Sequence, residues 1–310
     1  MLARDPTSVR YITVGQGDAV APLQSAPLGT LEFVGSRIHG EVMDFSYSAS
    51  EELDELANAV VALNRPVILS RMPARSPTIP ALRRAARGRA AMVVRASAPS
   101  LCLPLDNRWT DPLQALPSKR RNDMKVARSR AEKIGPVEVL FHSPTTSTEL
   151  DPLLDEFFAI EADGWKGRAG TALALSRQGV FIRAYAAAAA REGLLSIGVL
   201  TIGNEPAAAQ LGVALDGRFW LMKIGYRERF AEAAPGRLLQ LESIAHAARG
   251  GLVAYELLGL PSTFKRSWTR ERHENVAVAL YPLWQLRSAG AVILGGIDMA
   301  RRRWRSWVAD

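Results

Sequence analysis

The chain has 310 residues, of which 48% are apolar and 23% charged, so it is long enough for two globular domains and lacks the composition of a disordered or fibrous protein. Its net charge of +8 is compatible with anionic partners, and solubility alone also explains such a charge. The single cysteine, Cys102, excludes an intramolecular disulfide, and the four histidines are dispersed without the spacing of metal ligands. We therefore expect no metal.

The predicted elements of the first half are short strands followed by α/β alternation. In chain order they are strands at residues 9–14, 19–23 and 30–34, a helix at 50–63, a strand at 66–70, a helix at 78–87, and strands at 91–95 and 101–105. The helix from Ser50 is the clearest, because it has a serine N-cap, acidic residues in its first turn and apolar residues at helical spacing.

The second half begins with a basic helix at residues 116–135, which bridges the halves. The elements that follow are a strand at 137–141, a helix at 148–161, a Gly/Trp loop at 163–171, a helix at 176–191, strands at 194–202, 207–215 and 218–226, a helix from Pro235 to 249, and strands at 252–258 and 276–281. Turns at Asn204-Glu205-Pro206 and Asp216-Gly217 predict an antiparallel meander, which a helix then links to a parallel strand.

This order of elements is similar to the GNAT (acyl-CoA N-acyltransferase) fold. The second half matches the whole fold, and the first half matches it from its second strand onward. We therefore expect an α+β fold with a mixed sheet, built as a tandem of two GNAT-like halves with the first truncated at its N-terminus. The predicted division is 1–113 (partial GNAT-like domain), 114–135 (bridging helix), 136–287 (GNAT acyltransferase domain) and 288–310 (terminal basic helix).

Five stretches carry a more specific likeness. They are residues 116–121 (LPSKRR), 161–170 (EADGWKGRAG), 223–226 (KIGY), 234–239 (APGRLL), and 256–259 (ELLG) followed by 264–268 (FKRSW). In this order they resemble the CelD-like (cellulose-biosynthesis-associated) acetyltransferases, a GNAT branch related to Fem-type peptidyltransferases. The family usually has Asp where this chain has Glu256. The resemblance implies an acyltransferase whose co-substrate is acyl-CoA, such as acetyl-CoA.

Residues Pro235, Gly236, Arg237 and Leu238 are the predicted binding site for the CoA pyrophosphate. A helix that starts directly after a strand presents its first backbone N–H groups and its positive dipole end to a ligand. Gly236 allows close approach of a phosphate to the backbone. The alternative is an ordinary helix start.

The loop that follows Glu161 is the predicted acceptor site, since in this fold it forms one wall of that site. Trp165, Lys166 and Gly170 would contact the acceptor, and Glu161 would accept its proton. Trp165 could instead fold back on the core. Arg121, with its neighbours Lys119 and Arg120, could hold a phosphate of either substrate or lie on a solvated helix face.

Lys265 and Tyr226 are the remaining catalytic candidates. Lys265 follows the fifth strand of the GNAT half, and the resemblance implies that its ammonium stabilises the negative charge on the carbonyl oxygen, although a solvated loop lysine is the alternative. Tyr226 ends the fourth strand, where a hydroxyl could protonate the leaving thiolate or simply belong to the core. No Gly-x-Ser-x-Gly or Cys-His arrangement indicates a covalent intermediate.

The predicted function is acyl transfer to an amine or hydroxyl of a sugar, polysaccharide precursor or other small polar acceptor, with no DNA partner. One alternative is a Fem-type transferase that takes an aminoacyl group from tRNA, which the basic bridging helix would suit. Another is a non-catalytic module in envelope-polysaccharide assembly. The absence of a signal-like apolar N-terminus predicts a cytoplasmic protein. The basic C-terminal helix could contact a membrane surface or be solvated.

Overall fold

A computed structural model describes residues 9–15, 19–36, 41–163 and 176–283 of the chain. The strands are β1 (Val9–Val14), β2 (Ala19–Ser25), β3 (Leu31–Phe33), β4 (Val67–Pro73), β5 (Ala90–Pro104), β6 (Val137–His142), β7 (Leu195–Ile202), β8 (Glu205–Leu215), β9 (Arg218–Tyr226), β10 (Ala254–Leu257) and β11 (Arg272–Pro282). The α-helices are α1 (Ser50–Ala62), α2 (Thr78–Ala85), α3 (Pro112–Ala115), α4 (Ser118–Ile134), α5 (Ser147–Asp163), α6 (Arg177–Arg191), α7 (Pro235–Arg249) and α8 (Thr263–Arg266). Short 3-10 helices lie at Pro27–Gly29, Asn107–Thr110 and Glu228–Ala233.

The chain divides into two compact units. The first comprises residues 102–258, and the second comprises the described parts of residues 3–101 and 259–310. Each contains a mixed sheet with helices, which confirms the predicted fold class. None of the described helices is both long and apolar enough to cross a bilayer. The predicted C-terminal basic helix lies outside the described residues.

In the first unit the strands are ordered β10-β9-β8-β7-β6. β6 to β9 form an antiparallel meander and β10 joins β9 in parallel, as predicted. The turn at Asp216-Gly217 is confirmed, because both residues have positive φ angles. The other predicted turn is wrong by one residue: Gly203 and Asn204 have the positive φ angles, and Glu205 already begins β8. Two consecutive residues with positive φ angles form a two-residue hairpin turn, whose backbone twist matches that of the flanking strands.

Two layers of helices cover this sheet. One face packs against α5 and α6 through buried residues that include Leu154, Phe157, Ile160, Ile182 and Ala186. The opposite face packs against α4 and α7 through Ala127, Ala131, Leu238 and Leu239. Because a strand's side chains alternate between faces, each strand contributes to both layers.

In the second unit the strands are ordered β1-β2-β3-β4-β11-β5. β3 and β4 are parallel, and the neighbouring pairs around them are antiparallel. The predicted apolar stripe of α1 is buried at Leu53, Leu56 and Val60. Its N-cap is Ala49 rather than Ser50, and the Glu52 carboxylate accepts the Ala49 N–H at 3.0 Å. This bond satisfies the Ala49 N–H, and Ala49 has no polar side chain that could cap the N–H groups of the first turn.

The two strands predicted at 91–95 and 101–105 are one strand, β5, of 15 residues. Pro99, which cannot donate a ladder hydrogen bond, lies between the two predicted strands. The ladder between β5 and β11 shifts register at this place, between His273 and Asn275. The Asn275 side chain donates to Ala98 O (3.0 Å) and Ser100 Oγ (2.8 Å) across the irregularity. The bulge therefore accommodates the proline without ending the strand.

Candidate functional site

Strands β9 and β10 separate inside the first unit. β10 pairs with Arg218 to Leu221 of β9, and β9 continues for five more residues to Tyr226. Met222 is an extra residue at this point, since Leu221 pairs with Gly212 and Lys223 with Leu211. Such a bulge bends a strand and increases its twist. Residues 222–226 of β9 consequently extend beyond the segment that pairs with β10.

Glu161 lies beside this separated end of β9. It is in the last turn of α5 and its side chain is only 3% exposed. A Cβ atom placed on Gly225 would lie 3.1 Å from the Glu161 Cα atom and 3.3 Å from its Cβ atom. Glycine at 225 therefore allows the end of α5 to approach the strand, and Glu161 takes its position from that close contact.

Tyr226, the next residue of β9, points to the opposite face, toward the start of α7. Its ring lies against Gly236, where an added Cβ atom would be 3.5 Å from the Tyr226 Cδ1 atom. The residue is partly buried, and no hydrogen bond joins its hydroxyl to another residue of the described ranges. Tyr226 thus connects the separated strand end to the N-terminus of α7.

The first turn of α7 has fewer available N–H groups than a typical helix N-terminus. Pro235 has none, and the Arg237 and Leu238 N–H groups both reach Ala234 O, at 2.9 and 3.2 Å. Ala234 itself has left-handed backbone angles, with φ of 46°, and has no side-chain cap. These bonds leave the Gly236 N–H, while the Leu238 side chain belongs to the core. The backbone alone is therefore a weaker anion site than the sequence predicts.

Two arginines add positive charge at this point. Arg237 is exposed on the first turn of α7, and Arg120 extends the stripe of α4 that buries Met124 and Ala127. Burial and, after it, the positive charge of Arg237 lower the pKa of Arg120, while Asp123 acts in the opposite direction. Neither guanidinium has a hydrogen bond or ion pair to a residue in the described ranges. Two positive side chains that act on each other, at the positive end of a helix, favour binding of an anion.

The structure places the other predicted site residues as follows. Arg121 donates from Nη2 to Leu116 O at 3.2 Å, which fixes the turn before α4. Lys265 lies on α8 in the second unit, partly buried, and its Nζ donates to Leu260 O at 3.0 Å. Trp165, Lys166 and Gly170 lie outside the described residues.

Two features of the site escaped the sequence reasoning. The close contact at Gly225 and the extra residue Met222 depend on tertiary packing, although a glycine within a predicted strand is a signal of such an approach. Glu256, where the resembled family usually has Asp, is 2% exposed and pairs with Arg218 at 2.5 Å. This pair anchors the paired part of β9 and β10.

A buried polar cluster lies beneath α7. Ser243 and Gln240 of α7, Gln210 of β8 and Tyr255 of β10 are all fully buried. The hydroxyls of Ser243 and Tyr255 are 2.9 Å apart, and the Gln210 amide donates to Ser243. Burial raises the pKa of Tyr255, so the phenol stays neutral. The cluster fixes the packing of α7 on the sheet.

Residues 118–266 match the family model described as Acetyltransferase (GNAT) domain. The matched region is similar to GNAT-type acetyltransferase domains, and it includes Glu161, Tyr226, the start of α7 and Lys265. The narrower CelD-like family is not confirmed. None of the curated proteins matches the sequence.

Several solved structures share the fold. The C-terminal domain of a protein described as a lysylphosphatidylglycerol synthetase, from Agrobacterium fabrum, has a TM-score of 0.61 at 9% identity, over 94% of this chain and 88% of that one. L-PGS from Bacillus licheniformis has a TM-score of 0.59 at 12% identity, over 96% and 90%. FemX has a TM-score of 0.57 at 12% identity, over 89% and 88%. At these identities the likeness shows the fold and no substrate.

Proposed function

We propose that the chain transfers an acyl group from acyl-CoA, with acetyl-CoA as the simplest donor, to an amine or hydroxyl of a small polar acceptor such as a sugar or polysaccharide precursor. One observation carries the proposal. Glu161 approaches the separated end of β9 at Gly225 from the α5 side, and Gly236 lies against Tyr226 on the α7 side. Arg237 follows Gly236 in the same turn, and its charge acts on Arg120. A base, a hydroxyl and an anion site around one strand end suit a thioester donor that carries phosphates.

The proposed reaction is direct attack of the acceptor on the thioester carbonyl. The Glu161 carboxylate accepts the proton of the attacking amine or hydroxyl, and the new C–N or C–O bond gives a tetrahedral intermediate. When this collapses, the C–S bond breaks and the Tyr226 hydroxyl protonates the leaving thiolate. The proton on Glu161 then returns to the tyrosinate through solvent, so each turnover releases one thiol and one acylated acceptor.

The start of α7 fits a pyrophosphate if the arginine side chains supply most of the hydrogen bonds to its phosphates. With Arg237 and Leu238 N–H groups committed to Ala234, the backbone offers mainly the Gly236 N–H. Guanidinium groups bind phosphate in a bidentate manner and remain charged, so Arg237 and Arg120 can replace the missing backbone donors.

The roles of Lys265, Trp165, Lys166, Gly170 and Arg121 are proposed from the resemblance. Lys265 would stabilise the developing negative charge on the carbonyl oxygen. The three loop residues would contact the acceptor. A sugar or polysaccharide acceptor is likewise proposed from the CelD-like resemblance.

The second candidate is transfer of an aminoacyl group from tRNA. The observation that favours it is α4, which has seven basic residues against two acidic ones in the sequence SKRRNDMKVARSRAEKI. An exposed basic helix suits a phosphate backbone. FemX and L-PGS share the fold. Because the sequence also resembles relatives of Fem-type transferases, the test includes aminoacyl-tRNA beside acetyl-CoA.

The test compares acetyl-CoA and aminoacyl-tRNA as ligands by calorimetry and thermal shift. We expect acetyl-CoA to bind, and at 100 times its Kd it should stabilise the fold by about 2.7 kcal/mol. Replacing Arg237 or Arg120 by Ala should weaken acetyl-CoA binding roughly tenfold each, the scale of one charged hydrogen bond.

The matched control is Arg108→Ala, because Arg108 is an exposed arginine of the same unit that pairs with Asp106. This variant should bind acetyl-CoA like the wild type. Unchanged acetyl-CoA affinity in the Arg120/Arg237 double variant would refute the proposed phosphate site. Binding of aminoacyl-tRNA without binding of acetyl-CoA would select the second candidate.

A further inference from the structure

The turn at Gly259 is held by two charged side chains of the second unit. Glu41 Oε2 accepts the Gly259 N–H at 2.6 Å, and Arg71 Nη2 donates to the Gly259 carbonyl at 3.0 Å. The N–H and the carbonyl belong to the two peptide groups on either side of the Gly259 Cα atom. The pair of bonds therefore fixes both backbone dihedral angles of this residue.

Arg71 occupies an unusual position for a charged residue. It is 6% exposed and has a left-handed backbone, with φ of 56°. With Ser70 it forms a bulge of β4 opposite Ala277, between the pairs of Met72 and Leu69 with β11. Non-glycine residues in this conformation, and buried charges, persist only where the surroundings enforce them.

The surroundings of Arg71 supply that enforcement. Besides the Gly259 carbonyl, its Nη2 donates to Ser100 Oγ at 3.1 Å, and Ser100 Oγ accepts the Asn275 side chain at 2.8 Å. Burial lowers the pKa of Arg71 and the Glu41 carboxylate opposes this. The arginine is thus a fixed, charged donor directed at the turn.

The Lys265 ammonium rests on the same turn. Gly259 has φ of 82°, and a Cβ atom added there would lie 2.8 Å from Lys265 Nζ. Lys265 Nζ donates to Leu260 O at 3.0 Å, and Ser262 Oγ accepts the Lys265 N–H at 3.3 Å. A change in the backbone at Gly259 would therefore move the ammonium.

We propose that Arg71 and Glu41 are positioning residues that lock the Gly259 turn and thereby hold the Lys265 ammonium in one place during acyl transfer. The inference rests on the proposed function, in which Lys265 stabilises the charge on the carbonyl oxygen. A cation acts on a transition state only from a defined position, so loosening the turn lowers turnover while substrate affinity stays nearly the same.

The kinetic test uses Arg71→Met, which keeps the length of the side chain and removes its donors. We expect kcat to fall roughly 10- to 100-fold, the scale of a displacement of about 1 Å, with KM for acyl-CoA changed less than about threefold. Arg71→Lys should recover most of kcat because an ammonium can reach the Gly259 carbonyl. Arg84→Met, at a surface arginine of the same unit paired with Asp54, should behave like the wild type. Wild-type kcat in Arg71→Met would overturn the inference.

A second measurement is independent of activity. Reductive methylation followed by mass spectrometry gives the labelling rate of Lys265 relative to Lys125, which is exposed on α4 in the other unit. Arg71→Met and Glu41→Ala should each raise the labelling ratio of Lys265 to Lys125 several-fold. If Arg71→Met does not fold, the measurement on Glu41→Ala alone decides the question. Unchanged ratios would overturn the inference. A raised ratio in a protein that transfers no acyl group would support the lock and refute the proposed function.

Discussion

Replacing Gly225 by Ala tests the contact that gives Glu161 its position. The added methyl carbon would lie 3.1 Å from the Glu161 Cα atom and 3.3 Å from its Cβ atom. Carbon atoms pack best at about 3.5–4.0 Å, so the contact is too short by roughly 0.4 to 0.9 Å. The obstructing atom belongs to the helix backbone, so α5 or β9 has to shift.

The expected cost follows from this shortfall. Overpacking of this kind costs about 1–3 kcal/mol, and the reduced flexibility of the unfolded chain offsets about 0.4–1 kcal/mol of it. A net loss of about 1–2 kcal/mol corresponds to a fall in Tm of roughly 2–8 °C for a unit of this size. Because Glu161 moves with the helix, kcat should fall as well, while acyl-CoA affinity changes little.

Gly236→Ala is the matched control. Its added methyl carbon would lie 3.5 Å from the Tyr226 ring, an ordinary contact. We expect an equal or higher Tm, because alanine is favoured over glycine within a helix by about 1 kcal/mol. The assay is thermal denaturation followed by circular dichroism, with steady-state kinetics on the same samples. A Gly225→Ala protein with wild-type Tm and wild-type kcat would refute the close approach of α5 to β9.

Three further predictions follow from single residues. Glu161→Gln should lower kcat about 10²- to 10⁴-fold with little change in acetyl-CoA affinity, as expected for loss of a general base, and equal kcat in the variant would remove Glu161 from the mechanism. Lys265→Met should lower kcat roughly 100-fold with both KM values nearly unchanged, whereas poor CoA binding would instead identify a phosphate ligand. His246 stacks on Phe141 at 4.1 Å, and burial, followed by the charge of Arg249, lowers its pKa. The unfolded state therefore binds the proton more tightly than the folded state. The stability that neutral His246 contributes is complete above about pH 6.5 and is lost as pH falls toward the lowered pKa. His246→Phe should reduce the change in urea midpoint between pH 7.5 and pH 5, and an undiminished change would show that other groups cause it.

Much of the fold could be predicted from the sequence because its strong signals are local. The strand from Arg218 to Tyr226 and the helix from Pro235 to Arg249 have the predicted bounds, since apolar periodicity and the Pro-Gly start specify them. The single strand across Pro99 could not be predicted, because a bulge paired with a distant asparagine removes the need for the missing N–H. The pairing partner lies 177 residues away in the chain.

The candidate site was predictable in residue type more than in geometry. The sequence indicates Glu161, Tyr226 and the start of α7 as neighbours in a fold, and the structure supplies the contacts through Gly225 and Gly236. What changes is the source of positive charge. The backbone bonds to Ala234 follow from the left-handed conformation of that residue, which no local pattern predicts. Because these bonds occupy N–H groups of the first turn, Arg120 and Arg237 become the main source of positive charge for an anion.

The extra residue in β9 has a consequence for how the site tolerates change in chain length. Because Met222 shifts the alternation by one, Gly225 points toward α5 and Tyr226 toward α7. Deleting one residue here would exchange the two directions, so the tyrosine ring would meet the α5 backbone and the glycine would leave a gap at α7. Substitutions in this segment would alter the site by degrees, whereas a single deletion would invert it. Homologous chains with the same chemistry should therefore vary in residue type at position 222 while keeping the number of residues between Leu221 and Tyr226.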